Sequence, residues 1–217
     1  MKRRAFLAGA SAFGLTACGA AEPVSTPAAV LAARAYRHDG PPLLSLMTMK
    51  TVSGDRGEHT GLMINASQRV IFDPAGTFGR DVAAQPWGAL VPENMDVHYG
   101  ITPTIENFYI YYHARETYYV LRQDIPVTAE QAEAALRAAI AYGAVPKGGC
   151  TTSTSKILQQ VPGLEWINKV LFPDALVRQV DRIPSVVSQV YRDTDSDDKS
   201  LAAESFGATL TQSALPQ

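Results

Sequence analysis

Thr60-Gly61-Leu62-Met63-Ile64-Asn65-Ala66-Ser67-Gln68-Arg69-Val70-Ile71-Phe72-Asp73 reads as two short apolar runs joined by the break Ala66-Ser67-Gln68. Runs of this kind form strands, and so short a break makes them antiparallel neighbours. Working outward, Leu43 to Val52 is apolar and rich in β-formers and Met, which predicts a strand before the hairpin. After it, residues 74–104 are interrupted by Pro74, Gly76, Gly79, Pro86, Gly88 and Pro92 and read as a long surface loop. Loops of this length are usually functional or mobile. Tyr109, Tyr111 and His113 then alternate with Phe108, Ile110 and Tyr112, the period of a strand. With Ala114-Arg115-Glu116 as the turn and Thr117 to Ile125 as the return, a second hairpin is predicted.

The second half of the chain is helical by its punctuation. Thr128-Ala129-Glu130-Gln131 is a capping box, with Thr128 as N-cap and Gln131 reaching back. The Ala-rich run behind it predicts a helix to about Tyr142, which Gly143 to Gly149 ends. Cys150-Thr151-Thr152-Ser153-Thr154 leads into a short helix over Lys156 to Gln160, stopped before Pro162, and residues 164–191 hold one or two more short helices. The acidic run Asp193 to Asp198 and the small polar residues after it predict a disordered tail over 193–217. The fold class is therefore α+β, an antiparallel sheet packed against a cysteine-bearing helix, with the domain spanning 43–192.

The N-terminus has a separate reading. Met1-Lys2-Arg3-Arg4 precedes an uncharged stretch from Ala5 to Thr16 and then Ala17-Cys18-Gly19, the three parts of an export signal. The stretch is too short to span a bilayer, which takes about 20 apolar residues. Leu15-Thr16-Ala17-Cys18 resembles the lipobox of bacterial lipoproteins, in which Cys18 would carry the lipid (a diacylglyceryl group, with palmitate-type chains). Arg3-Arg4-Ala5-Phe6-Leu7 resembles the twin-arginine export signal, with Arg3 and Arg4 as its pair. Residues 19–42, rich in Ala and Pro, would then be a tether, and the expected location is the bacterial cell envelope, lipid-anchored on the periplasmic or outer face of a membrane. Loss of Lys2, Arg3 and Arg4 takes the formal net charge from −2 to −5. A mildly acidic chain without a basic cluster argues against nucleic-acid binding.

Cys18 and Cys150 are the two cysteines of the chain. A lipid on Cys18 leaves Cys150 as a single thiol with no disulfide partner, and such a thiol in an exported protein is either buried or used. Cys150 follows two glycines and opens a hydroxyl-rich helix start, where the helix dipole favours a thiolate and free N–H groups can hold an oxyanion. Its base must come from His38, His59, His98 or His113. His38 lies in the tether, His98 in the long loop, and His113 at the end of an aromatic strand. His59, in Gly57-Glu58-His59-Thr60-Gly61, opens the strand that pairs with the one closed by Asp73, so Asp73 can orient its ring.

His59 on its strand, Asp73 on the next, and then Gly-Gly-Cys150-Thr-Thr resemble the circularly permuted papain-like proteins, a group related to the NlpC-type cell-wall peptidases and including lecithin:retinol acyltransferase-like enzymes. The resemblance implies Cys150 as nucleophile, His59 as general base and Asp73 as orienting residue. Several members have Asn before the cysteine where this chain has Gly149, and the third position varies across the group, so Asn65 competes with Asp73. Other motifs fail: Gly143 to Cys150 lacks the P-loop lysine, Gly-x-Ser-x-Gly is absent, and no histidine pair has metal-ligand spacing. No cofactor and no metal are expected. The predicted function is a thiol hydrolase or acyltransferase on amide or ester bonds, with peptidoglycan peptides, lipids or acyl groups as candidate substrates. The alternative is a non-catalytic envelope lipoprotein using the same scaffold for binding or assembly.

Overall fold

The computed structural model describes residues 27–74, 78, 92–93 and 96–213. Arg3, Arg4, Cys18 and the first part of the expected tether lie outside them. A seven-stranded antiparallel sheet organises the chain, and helices cover both of its faces, an α+β architecture. The strands are β1 (Leu43–Thr51), β2 (Gly57–Asn65), β3 (Arg69–Phe72), β4 (Pro92–Glu93), β5 (Val97–His98), β6 (Tyr118–Pro126) and β7 (Val187–Arg192). Their spatial order is β4-β5-β3-β2-β1-β6-β7. The predicted hairpin is β2–β3, in register from Leu62 opposite Phe72 to Asn65 opposite Arg69. β1 lies between β2 and β6, buried on both faces, which is why it reads as a nearly continuous apolar run.

Alternation along the strands separates two cores. Leu44 and Leu46 on β1, Leu62 and Ile64 on β2, and Val70 and Phe72 on β3 face one side. There they meet α3 (Ala129–Tyr142), α4 (Cys150–Leu158) and α5 (Pro173–Val180). Met47 and Met49, Met63 and Ile71 face the other side, against α2 (Pro103–His113) and α6 (Lys199–Ser213). The capping box of α3 forms as predicted, with Gln131 N donating to Thr128 Oγ1 and Thr128 N donating to Gln131 Oε1.

Five expectations are corrected. Residues 107–113 are not a strand: they belong to α2, which Thr102 caps and Pro103 opens, so the second hairpin does not exist. Its Ile105, Phe108, Tyr109 and Tyr112 recur at helical spacing and fill the second core. The 193–217 stretch is not a disordered tail across its described part, because α6 packs Ala202, Ala203 and Phe206 against α2. Asp195 and Asp197 of the acidic run bind Tyr111 and Thr117. The tether contains a short helix α1 (Ala28–Arg34), and Arg69 N donates to Tyr36 O just after it. Finally, β7 is a strand where helix was expected, and the described parts of 74–104 include β4 and β5 and the buried Phe78 and His98.

Candidate functional site

β3 ends at Phe72, so its pairing with β2 stops at Leu62. Beyond that point no described strand pairs with this edge of β2 toward its N-terminal end, where Thr60 and His59 lie. Cys150 reaches this edge from the first residue of α4, whose N-cap Gly149 supplies no side-chain cap. The first-turn N–H groups of a helix have no intrahelical acceptor, so the thiol sits against an electropositive helix end. Thr60 Oγ1 and Thr151 Oγ1, 3.3 Å apart, tie β2 to α4 at this place, and the thiol lies 3.8 Å from Thr151 Oγ1.

His59 lies on the opposite face of β2 from Thr60, and its ring reaches around the strand edge. Its Nε2 is 2.8 Å from Asp73 Oδ1. The ring also interacts with the Cys150 thiol, by hydrogen bonding and by charge. Asp73 follows β3 directly, is fully buried, and has its backbone held by Asp96 O at 2.8 Å. The three residues singled out from sequence are thus contiguous. Asn65 is not part of the group: at the far end of β2 its Nδ2 donates to Pro41 O at 2.7 Å.

Charge is strongly organised here. Burial opposes protonation of His59, but the adjoining carboxylate and sulfur outweigh it and raise its pKa to about 9. Burial pushes the Cys150 thiol up, yet hydrogen bonding and charge from His59, with the Thr60 N–H, bring it down to about 6. Asp73, despite burial, is held below the usual carboxylate range by His59, with smaller contributions from His113 and His98. At neutral pH the cluster is a thiolate, an imidazolium and a carboxylate in series.

Three further residues complete the cluster: Tyr109 and Gly61, which were not singled out from the sequence, and His113, which was weighed there as a base at the end of a strand. Tyr109 of α2 donates its hydroxyl to Asp73 Oδ1 at 2.8 Å. His113, one helical turn on, donates from Nδ1 to Tyr109 O at 2.8 Å and stacks on His59 with ring centroids 6.0 Å apart. Burial, with the nearby Lys199 charge, lowers its pKa to about 3, so His113 is neutral. Gly61, two residues along β2 from His59, faces Tyr109: a Cβ there would overlap the hydroxyl oxygen and lie 3.2 Å from Cζ. The helical spacing of Ile105, Phe108, Tyr109 and Tyr112 behind Thr102-Pro103 was the available signal for this helix.

His59, Asp73 and His113 also offer metal-ligating atoms within 4.8 Å of one another, a contrast with the expectation of no histidine-based metal set. That donor chemistry suits a zinc-type cation. Binding one there would have to displace the proton that His59 and Asp73 share. Comparison of the chain with protein-family models, with curated proteins and with solved structures finds no match.

Proposed function

We propose that this protein is a papain-like thiol hydrolase or acyltransferase, in the circularly permuted arrangement, acting on amide or ester bonds. The observation that carries the reading is the series Cys150–His59–Asp73, in which a thiol at an uncapped helix N-terminus shares a hydrogen bond with an imidazole anchored by a buried carboxylate. The Cys150 sulfur attacks a carbonyl carbon, forming the C–S bond as the carbonyl electron pair moves to oxygen. The free N–H groups of the first turn of α4, that of Cys150 among them, receive this oxyanion. His59 gives its proton to the departing amine or alkoxide, the C–N or C–O bond breaks, and an acyl-thioester remains. Water or an acceptor nucleophile, deprotonated by His59, then releases the acyl group.

The lipobox-like Leu15 to Cys18 and the Arg3-Arg4 pair support placing this chemistry in the bacterial envelope, anchored through lipid on Cys18. Peptidoglycan peptides, lipids and acyl groups are the substrates such a position offers. Incubation of the purified protein with p-nitrophenyl acetate followed by peptide mass spectrometry tests the mechanism. The expected result is an acetyl group on Cys150, absent from Cys150→Ser and His59→Ala. Acetylation spread over lysines, with Cys150 unmodified in a folded protein, would favour the non-catalytic alternative.

A further inference from the structure

We propose that Tyr109 is a positioning residue for the His59–Cys150 pair, acting through Asp73, and that Gly61 is the opening in β2 that admits it. The inference rests on the thiol–imidazole reading above. Asp73 Oδ2 is buried and has no hydrogen-bond partner among the described residues. Among the described residues the carboxylate is thus oriented through Oδ1, which accepts from Tyr109 Oη and pairs with His59 Nε2, each at 2.8 Å. Of these two partners, only Tyr109 is fixed by the core. It is fully buried, with its ring 4.9 Å from Phe78 edge-on and 4.5 Å from His113. The His59 side chain is 22% exposed. The restraint thus runs outward, from a packed phenol through the carboxylate to the imidazole and the thiol.

Gly61 gives the second, independent line. A glycine inside a central strand weakens it and marks a close approach by another group. Here the approaching group is the Tyr109 hydroxyl, in the space that any side chain at position 61 would occupy. Side chains at i and i+2 share a strand face, so Gly61 and His59 look the same way. The spacing His59-Thr60-Gly61 thereby puts the base and the room for its support on one surface of β2.

Iodoacetamide alkylation of Cys150 across pH, followed for the whole protein by mass spectrometry, tests this. The wild-type rate should rise with an inflection near 6. Tyr109→Phe and Gly61→Ala should each slow alkylation at pH 7 about tenfold, as expected for losing one hydrogen bond to a charged group. Because both break the same contact, the double variant should be no slower than either single one. A folded single variant with the wild-type profile, or a double variant slowed by the product of the two losses, about hundredfold, would overturn the proposal. Should Gly61→Ala fail to fold, Tyr109→Phe in an Asp73→Asn background decides: no further slowing supports the proposal, and a further tenfold slowing overturns it. A wild-type inflection near 8.5, the ordinary thiol value, would instead remove the thiol–imidazole reading itself, and this inference with it.

Discussion

The two faces of the sheet are built from different material and do different work. On the α3–α4–α5 side the core is mainly aliphatic, from Leu44, Leu62 and Ile64 to Leu136, Ile157 and Leu176, with Phe72 and Tyr99 as its buried aromatics. On the α2–α6 side it is aromatic and sulfur-rich, with Phe78, Phe108, Tyr109 and Tyr112 packed against Met47 and Met63. The aliphatic side presents the nucleophile, since Cys150 begins one of its helices. The aromatic side fixes the base, because Asp73, Tyr109 and His113 all converge on His59 from there. The two meet along β2 past the point where its pairing with β3 stops. Aliphatic packing needs only volume and pattern, whereas the aromatic side combines packing with directed hydrogen bonds.

If that division is right, equal damage to the two cores should have unequal consequences for the thiol. Phe108→Ala should cost about 3–5 kcal/mol of stability and Leu136→Ala about 2–5 kcal/mol, read by urea denaturation. In protein still folded, Phe108→Ala should raise the pH at which Cys150 becomes reactive, because it loosens the helix carrying Tyr109 and His113. Leu136→Ala should leave that pH unchanged, and a matching shift in both variants would break the comparison. Next in size, Asp73→Asn keeps the side-chain volume but removes the charge that holds His59 protonated. Alkylation of Cys150 at pH 7 should slow at least tenfold, as the thiolate population falls toward that of an ordinary thiol. The smallest effect belongs to Thr128→Ala, which removes the α3 cap on the aliphatic side. About 1 kcal/mol of stability should be lost, with Cys150 reactivity at pH 7 equal to wild type.

The same contrast explains what could be read from the sequence. The aliphatic side was legible because its cues are local. Thr128 with Gln131 announces a helix start, the alanines follow on one face, and Gly148-Gly149 delivers Cys150 to a helix end. Even there the start lay earlier than the periodicity indicated, since the hydroxyl-rich residues 151–155 are largely buried within α4 rather than preceding it. His59 and Asp73 were legible because the short turn at 66–68 fixes which strands are neighbours. The aromatic side was not, because Phe108 to His113 satisfies strand alternation and helical spacing at once. Thr102-Pro103 settles the ambiguity in favour of helix, and with it the position of Tyr109. α6 was hidden for another reason: its residues are small and polar, and their order depends on docking against Phe108 and Tyr111. The approach of His113 to His59 joins elements far apart in sequence, and no spacing rule encodes it.

The pH dependence of Cys150 alkylation in wild type and in His59→Ala tests the central claim most directly. With the thiol at about 6 and His59 at about 9, thiolate and imidazolium coexist between those values. Wild-type reactivity should therefore rise through pH 6 and be nearly flat to pH 8. In His59→Ala, burial of the sulfur is no longer offset by a neighbouring cation, and the inflection should move up to about 8.5 or above. An inflection near 8.5 in the wild type, unmoved by His59→Ala, would contradict the account.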